Sequence, residues 1–184
     1  MSIEAARLAE HDKYKVCYQD NNYRMGGARK RDAFAAMESI EGNSFLDIGC
    51  GRGEMLDSAE SRGFSVVHGV EVVPDLIDGE RVIKGTVQDI PFPDKSVDVV
   101  TFMDVIEHLV PGDEVAACEE LKRVAKNTIL LTANNRPSIH KGLDLHINIK
   151  SYEEWDAFFR GAFPDATVTR LKSSYVSEMW RIDL

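Results

Sequence analysis

The apolar positions change their period along the chain, and each change predicts an element. Between Arg29 and Glu41 they fall at Ala33, Phe34, Met37 and Ile40, a helical spacing that Gly42 stops. A strand over Ser44–Ile48 follows, then a helix from Gly53 to Arg62 with Met55, Leu56 and Ala59 inward and Gly63 as terminator. Further strands are predicted at Ser65–Val70, near Arg81–Lys84 and at Val97–Phe102, with only a short segment, Pro74–Asp78, between the first two. A helix over Asp113–Lys126 puts Val115, Cys118, Leu121 and Ala125 on one stripe, and a strand covers Thr128–Thr132. Ser151 and Glu154 form a capping box before Trp155, Phe158 and Phe159. Two strands, Ala166–Leu171 and Glu178–Asp183, joined by Lys172–Ser177, close the chain. Residues 1–28 are polar and show no clear period, and Arg24-Met25-Gly26-Gly27 reads as a joint.

Alternation of strand and helix predicts an α/β fold: a doubly wound, Rossmann-like, seven-stranded, mostly parallel sheet with an antiparallel C-terminal strand pair and helices on both faces. The chain has 184 residues, 43% of them hydrophobic, which fits one domain with a core rather than two. We divide it into an N-terminal lid segment, 1–28, and a single domain, 29–184. A net charge of −9 argues against broad phosphate-backbone binding, so nucleic acid is not the favoured partner. The cluster Arg24, Arg29, Lys30 and Arg31 reads as a solvated helix start. Three widely spaced cysteines with no Cys-x-x-Cys pair point to a reducing, cytoplasmic setting without structural zinc. The first residues lack a signal-peptide pattern, and no apolar run is long enough to span a membrane.

The chemistry concentrates at predicted strand ends. Phe45–Gly53 is a strand running into Gly49, Gly51 and Gly53, where missing Cβ atoms let backbone N–H groups approach a ligand. Asp47 precedes that turn, either to brace its amides or to meet a cationic group. Glu71 lies 18 residues after Gly53, where a carboxylate grips a ribose diol. In Val87-Gln88-Asp89-Ile90-Pro91-Phe92, an Asp past the third strand is placed to accept from an exocyclic amine, and Ile90 to lie against a base.

These segments, with Phe102-Met103-Asp104-Val105-Ile106-Glu107-His108, resemble the class I S-adenosylmethionine-dependent methyltransferases, in the compact, small-molecule, methyltransferase-11-like form. The resemblance is good over residues 44–133 and loose elsewhere. It implies that Asp47, Gly49, Cys50, Gly51 and Gly53 flank the methionine part of S-adenosyl-L-methionine, with Met103 beneath it. It implies that Glu71 and Val72 hold the sugar and that Gln88, Asp89 and Ile90 form the adenine pocket, while Arg24 is a partner for the cofactor carboxylate. The stretch Val72–Glu80 is too short for the usual helix, so the domain is trimmed on that flank.

Asp104-x-x-Glu107-His108 is similar to the metal-binding segment of the ubiquinone-pathway O-methyltransferases and the small-RNA terminal-ribose methyltransferases, which carry Glu where this chain has Asp104. We assign Glu107, His108 and His146 to catalysis, with the imidazoles as base candidates. Asp104, Glu107 and His108 are the set for a divalent metal, with His146 as a further ligand or a separate base; the assignment does not require the metal.

The expected reaction moves a methyl group to an O or N nucleophile of a small molecule, sugar or polymer end. Tyr14, Tyr23, Arg24, Arg136, His140 and His146 are the side chains expected around the acceptor. No Asp-Pro-Pro-Tyr, Asn-Pro-Pro-Tyr or Pro-Cys is present, which sets aside the familiar base-methylating patterns. The alternatives are a non-catalytic cofactor-binding partner with the same fold, cleavage or transfer of another group, or a nicotinamide-dependent oxidoreductase. The last is opposed by Gly-x-Gly-x-Gly spacing and by the lack of a Tyr-x-x-x-Lys pair.

Overall fold

The computed structural model describes residues 2–24, 27–171 and 177–184, with the side chains of 27–30 excepted. The predicted joint at Met25-Gly26 and most of the Lys172–Ser177 connection therefore lie outside the described residues. Helix α1 (Ile3–Tyr18) comes first, capped by the Ser2 hydroxyl, which accepts from the Ala5 N–H. After it come α2 (Gly27–Met37), β1 (Ser44–Ile48), α3 (Glu54–Ser61) and β2 (Val66–Glu71). The middle of the chain holds β3 (Val82–Lys84), β4 (Val97–Phe102), α4 (Asp113–Val124) and β5 (Ala125–Asn134). The short strands β6 (Ile139–His140) and β7 (Leu143–Asp144), then α5 (Tyr152–Ala162), β8 (Thr167–Leu171) and β9 (Ser177–Asp183) complete the order.

The sheet runs β3-β2-β1-β4-β5-β9-β8. The first five strands are parallel, and β9 enters antiparallel between β5 and β8. Strand order reverses between β1 and β4, so the crevice beyond their carboxyl ends is where such sheets take ligands. Two apolar clusters pack on opposite faces. One gathers Leu46, Val100, Leu121, Trp155, Phe159 and Trp180; the other gathers Met37, Phe45, Met55, Leu56, Val99 and Leu130. All five residues of β1 are buried, the mark of a central parallel strand.

The trimmed flank is a single 3-10 turn, Pro74–Leu76, between β2 and β3. Two expectations change. The inward stripe of α4 is Ala117, Cys118, Leu121 and Val124, whereas Val115 is 52% exposed and Ala125 already begins β5. Glu114 takes the inward place because its carboxylate accepts from Gly112 N, Asn148 Nδ2 and Lys150 Nζ. The polar N-terminus, unassigned from its sequence, contains a sixteen-residue helix, and residues 139–144 form a hairpin between β5 and α5.

Candidate functional site

A cavity of about 320 Å³ opens at the carboxyl ends of β1, β2 and β4. Its floor is the glycine turn. Gly49 and Gly51 hold φ of +72° and +54°, in the left-handed region that favours glycine. A Cβ on Gly49 would stand 2.7 Å from Val105 Cγ2, and one on Gly51 would run into the Tyr18 hydroxyl. The missing Cβ atoms thus let Val105 and Tyr18 close directly onto the turn's backbone. Gly53, also at positive φ, caps α3 and does not line the cavity.

Two buried carboxylates support this floor. Glu71, the last residue of β2, accepts from Gly51 N (2.9 Å), Val72 N (2.7 Å) and Val73 N (3.0 Å). It thereby braces the turn against the strand. Burial nevertheless pushes its carboxyl up, against those three bonds. Asp47 lies inside β1 and accepts from the Thr101 hydroxyl at 2.6 Å. Burial raises it to about 7, with Thr101 opposing and the Glu71 and Glu54 charges adding to the rise.

Of the residues expected at the cofactor, Asp47, Gly49, Cys50, Gly51, Glu71 and Val72 line the cavity, as do Gln88, Met103 and Arg24. Asp89 and Ile90 do not. Asp89 sits in a tight turn whose N–H bonds back to Thr86 O at 3.2 Å, and Ile90 is 2% exposed, in the core. The residues that reach the cavity from this segment are Gly85, Thr86, Val87 and Gln88. Asp and Ile were chosen on side-chain chemistry; the turn instead points the preceding residues inward. Gln88 Nε2 donates to Asp113 Oδ2 at 3.0 Å, and Arg7 clamps the same carboxylate through Nε (2.7 Å) and Nη2 (2.5 Å). Arg24 Nη2 donates to Asn21 O.

The side of the cavity where the acceptor is expected is built by the loop after β4 and the segment after β7. The Glu107 carbonyl accepts from Ile147 N and Asn148 N, both at 3.0 Å, which carries His146 to His108. The two imidazoles meet edge to face with centroids 4.8 Å apart. His108 Nδ1 lies 2.8 Å from Leu145 O and His146 Nδ1 lies 2.5 Å from Arg136 O. A carbonyl only accepts, so each Nδ1 carries the hydrogen of its contact. Both histidines line the cavity, whereas Glu107 is fully buried behind them. One ligand atom from each of Glu107, His108 and His146 lies within 4.8 Å of the other two. Asp104 is not in that group; its carboxylate accepts from the Thr132 hydroxyl at 3.2 Å. The candidate metal set therefore takes His146, expected as a further ligand, in place of Asp104.

The wall opposite the turn is α1. Arg7, Glu10, His11, Tyr14 and Tyr18 face the cavity from successive turns, and Tyr14 stands edge-on to His108 at 5.3 Å. Sequence reading missed Arg7 and Tyr18 as cavity residues. The available signal was the spacing of 7, 10, 11, 14 and 18, one helical face.

The family model described as "Methyltransferase domain" matches residues 46–131. A ubiquinone biosynthesis O-methyltransferase of Acinetobacter baumannii (strain ACICU) is 27% identical over 142 residues, covering 70% of this chain and 57% of that protein. The chain thus spans little more than half the length of that relative. Among solved structures, the PH0226 protein of Pyrococcus horikoshii OT3 superposes with a TM-score of 0.70 at 18% identity, over 88% of this chain and 93% of the other. The Burkholderia thailandensis 1,6-didemethyltoxoflavin-N1-methyltransferase, solved with its substrate and S-adenosylhomocysteine, gives 0.70 at 15% identity, over 98% and 88%. Strand order, bare glycine turn and matched segment agree: this chain has the S-adenosylmethionine-binding fold of the class I methyltransferases.

Proposed function

We propose that the protein transfers a methyl group from S-adenosylmethionine to an oxygen or nitrogen of a small molecule, a sugar or a polymer end. S-adenosylmethionine supplies an activated methyl on a sulfonium, so the protein's share is orientation and proton removal. The observation that carries the reading is the pair of imidazoles that line the same cavity as the glycine turn, each with Nδ1 tied to a backbone carbonyl. His146 and His108 take the acceptor's proton in this scheme. The relatives named as O-methyltransferases put oxygen first among acceptor atoms to test. Helix α1 and the segment to Arg24 act as a lid that orders over bound cofactor. No described helix is long and apolar enough to cross a membrane, and three buried free thiols suit a cytoplasmic site of action.

The test is S-adenosylhomocysteine release across a panel of phenols, sugars and amines. His146→Ala is expected to lose about 100-fold in turnover while binding S-adenosylhomocysteine within about twofold of the parent. Full activity in that variant removes His146 from the mechanism. Cofactor binding without turnover on any acceptor favours the non-catalytic partner. Equal protease sensitivity of residues 3–24 with and without S-adenosylhomocysteine refutes the lid.

The cluster of Glu107, His108 and His146 supports a second reading, in which a divalent ion lowers the pKa of the acceptor hydroxyl. Loss of turnover with a chelator and its return with magnesium or manganese selects that reading.

A further inference from the structure

We propose that Tyr18 closes the subsite for the amino-acid end of the cofactor, its hydroxyl donating to the cofactor carboxylate while Arg52 holds the tyrosine in place. The proposal rests on the cofactor reading above. Tyr18 lines the cavity, and its hydroxyl stands directly over Gly51, against the side where a Cβ would project. The Tyr18 side chain is half-buried in the cavity wall. Burial, then the neighbouring Glu71 carboxylate, push the phenol far above its ordinary value of 10, so it stays a neutral donor.

Charge around the cavity says what such a donor meets. Glu10, Asp47, Glu54, Glu71, Asp104 and Asp113 all contribute to the lining. This wall suits a sulfonium and repels a carboxylate. The two lining arginines are engaged elsewhere, Arg7 with Asp113 and Arg24 with the Asn21 carbonyl. A neutral phenol over the bare Gly51 backbone gives the anion a donor at the turn that flanks the methionine portion.

Arg52, within the glycine motif, does not line the cavity. Its Nη2 donates to Tyr18 O (2.9 Å) and Asp20 O (3.3 Å), its Nε to Tyr23 O (3.4 Å), and its guanidinium lies 5.4 Å from the Tyr18 ring centre. Three carbonyls after α1 are gathered by one residue of the turn. Arg52 is thus a positioning residue, coupling the end of α1 to the floor.

The test is calorimetry with two probes, S-adenosylhomocysteine and 5′-methylthioadenosine, which lacks the amino-acid end. Tyr18→Phe keeps the ring and removes the donor. It is expected to weaken S-adenosylhomocysteine at least about tenfold, as for a bond to a charged group, and to leave methylthioadenosine within about twofold. Arg52→Gln is expected to weaken the first probe less and to speed amide exchange across residues 3–18, which Tyr18→Phe does not. Unchanged S-adenosylhomocysteine affinity in Tyr18→Phe, or equal loss of both probes, overturns the proposal. A parent chain that binds neither probe overturns the cofactor reading itself.

Discussion

The cavity has two walls made in different ways. The sheet wall, from β1, the glycine turn and Glu71, is held by backbone: all of β1 is buried, and Gly51 N is bonded to a buried carboxylate. The α1 wall is held by side chains. Only Cys17 of that helix is buried, and its attachments are Arg7 to Asp113, Lys13 Nζ to Asp144 O at 2.8 Å, and Arg52 to the carbonyls beyond Tyr18. Backbone ladders in a core open only with the whole domain, whereas a helix tied down by partly exposed polar contacts opens locally. One wall is therefore a fixed template, and the other a cover that can leave and return. The largest effect separating them is expected at Gly51. Gly51→Val forces a β-branched residue to φ +54° against the Tyr18 hydroxyl. S-adenosylhomocysteine affinity should fall by about 100-fold or more, given the strain and the lost approach. Calorimetry checks this, and near-parental affinity would mean that the template wall yields as the cover does.

A smaller effect probes the template alone. Asp47 ionises near 7 in the folded chain against 3.8 ordinarily, because burial disfavours its charge. Below about pH 3 the carboxyl is protonated in both states, and its contribution is neutral. As pH rises from there to about 7 the unfolded chain ionises first, so stability falls, by up to roughly 4 kcal/mol, and then levels. Asp47→Asn keeps an acceptor for Thr101 and removes the ionisation. The variant should be the more stable near pH 8, by about 1–4 kcal/mol, with a flatter slope between pH 4 and 7. Denaturant melts at several pH values check it; parallel slopes would place Asp47 in a more polar site than its burial implies.

The difference between the walls also explains what the sequence disclosed. The template was legible because its rules are local: an apolar run, alternating glycines, and an acid at the next strand end place Asp47, Gly49, Gly51 and Glu71 without knowledge of packing. The cover was not. Its cavity face is Arg7, Glu10, His11, Tyr14 and Tyr18, whereas Ile3, Leu8 and Val16 are exposed at 50%, 59% and 39%. A helix with its polar side inward defeats a search for an apolar stripe. Asp89 and Ile90 failed for another reason. Both are expected at the purine from residue type, but a one-turn reversal at Thr86–Asp89 decides which residues face the cavity. His146 was named from its chemistry, but its meeting with His108 depends on two N–H bonds to the Glu107 carbonyl, a pairing that no local pattern encodes.

The smallest expected effect tests the cover alone. Arg7 is about one-third exposed and Asp113 nearly buried, so their two-point ion pair lies between a surface pair and a core one. A contribution of about 1 kcal/mol is reasonable for that setting. Arg7→Gln removes the charge but leaves Gln88 on Asp113, so the sheet side of the contact survives. If α1 opens on its own, the loss appears as roughly fivefold faster amide exchange confined to residues 3–18, with the global melting temperature shifted by no more than about 2 °C. Added salt should reproduce part of the effect in the parent chain, because a partly exposed pair is screened. If exchange instead accelerates equally in β1 and β4, then α1 unfolds only with the sheet, and the distinction between a fixed wall and a removable one fails.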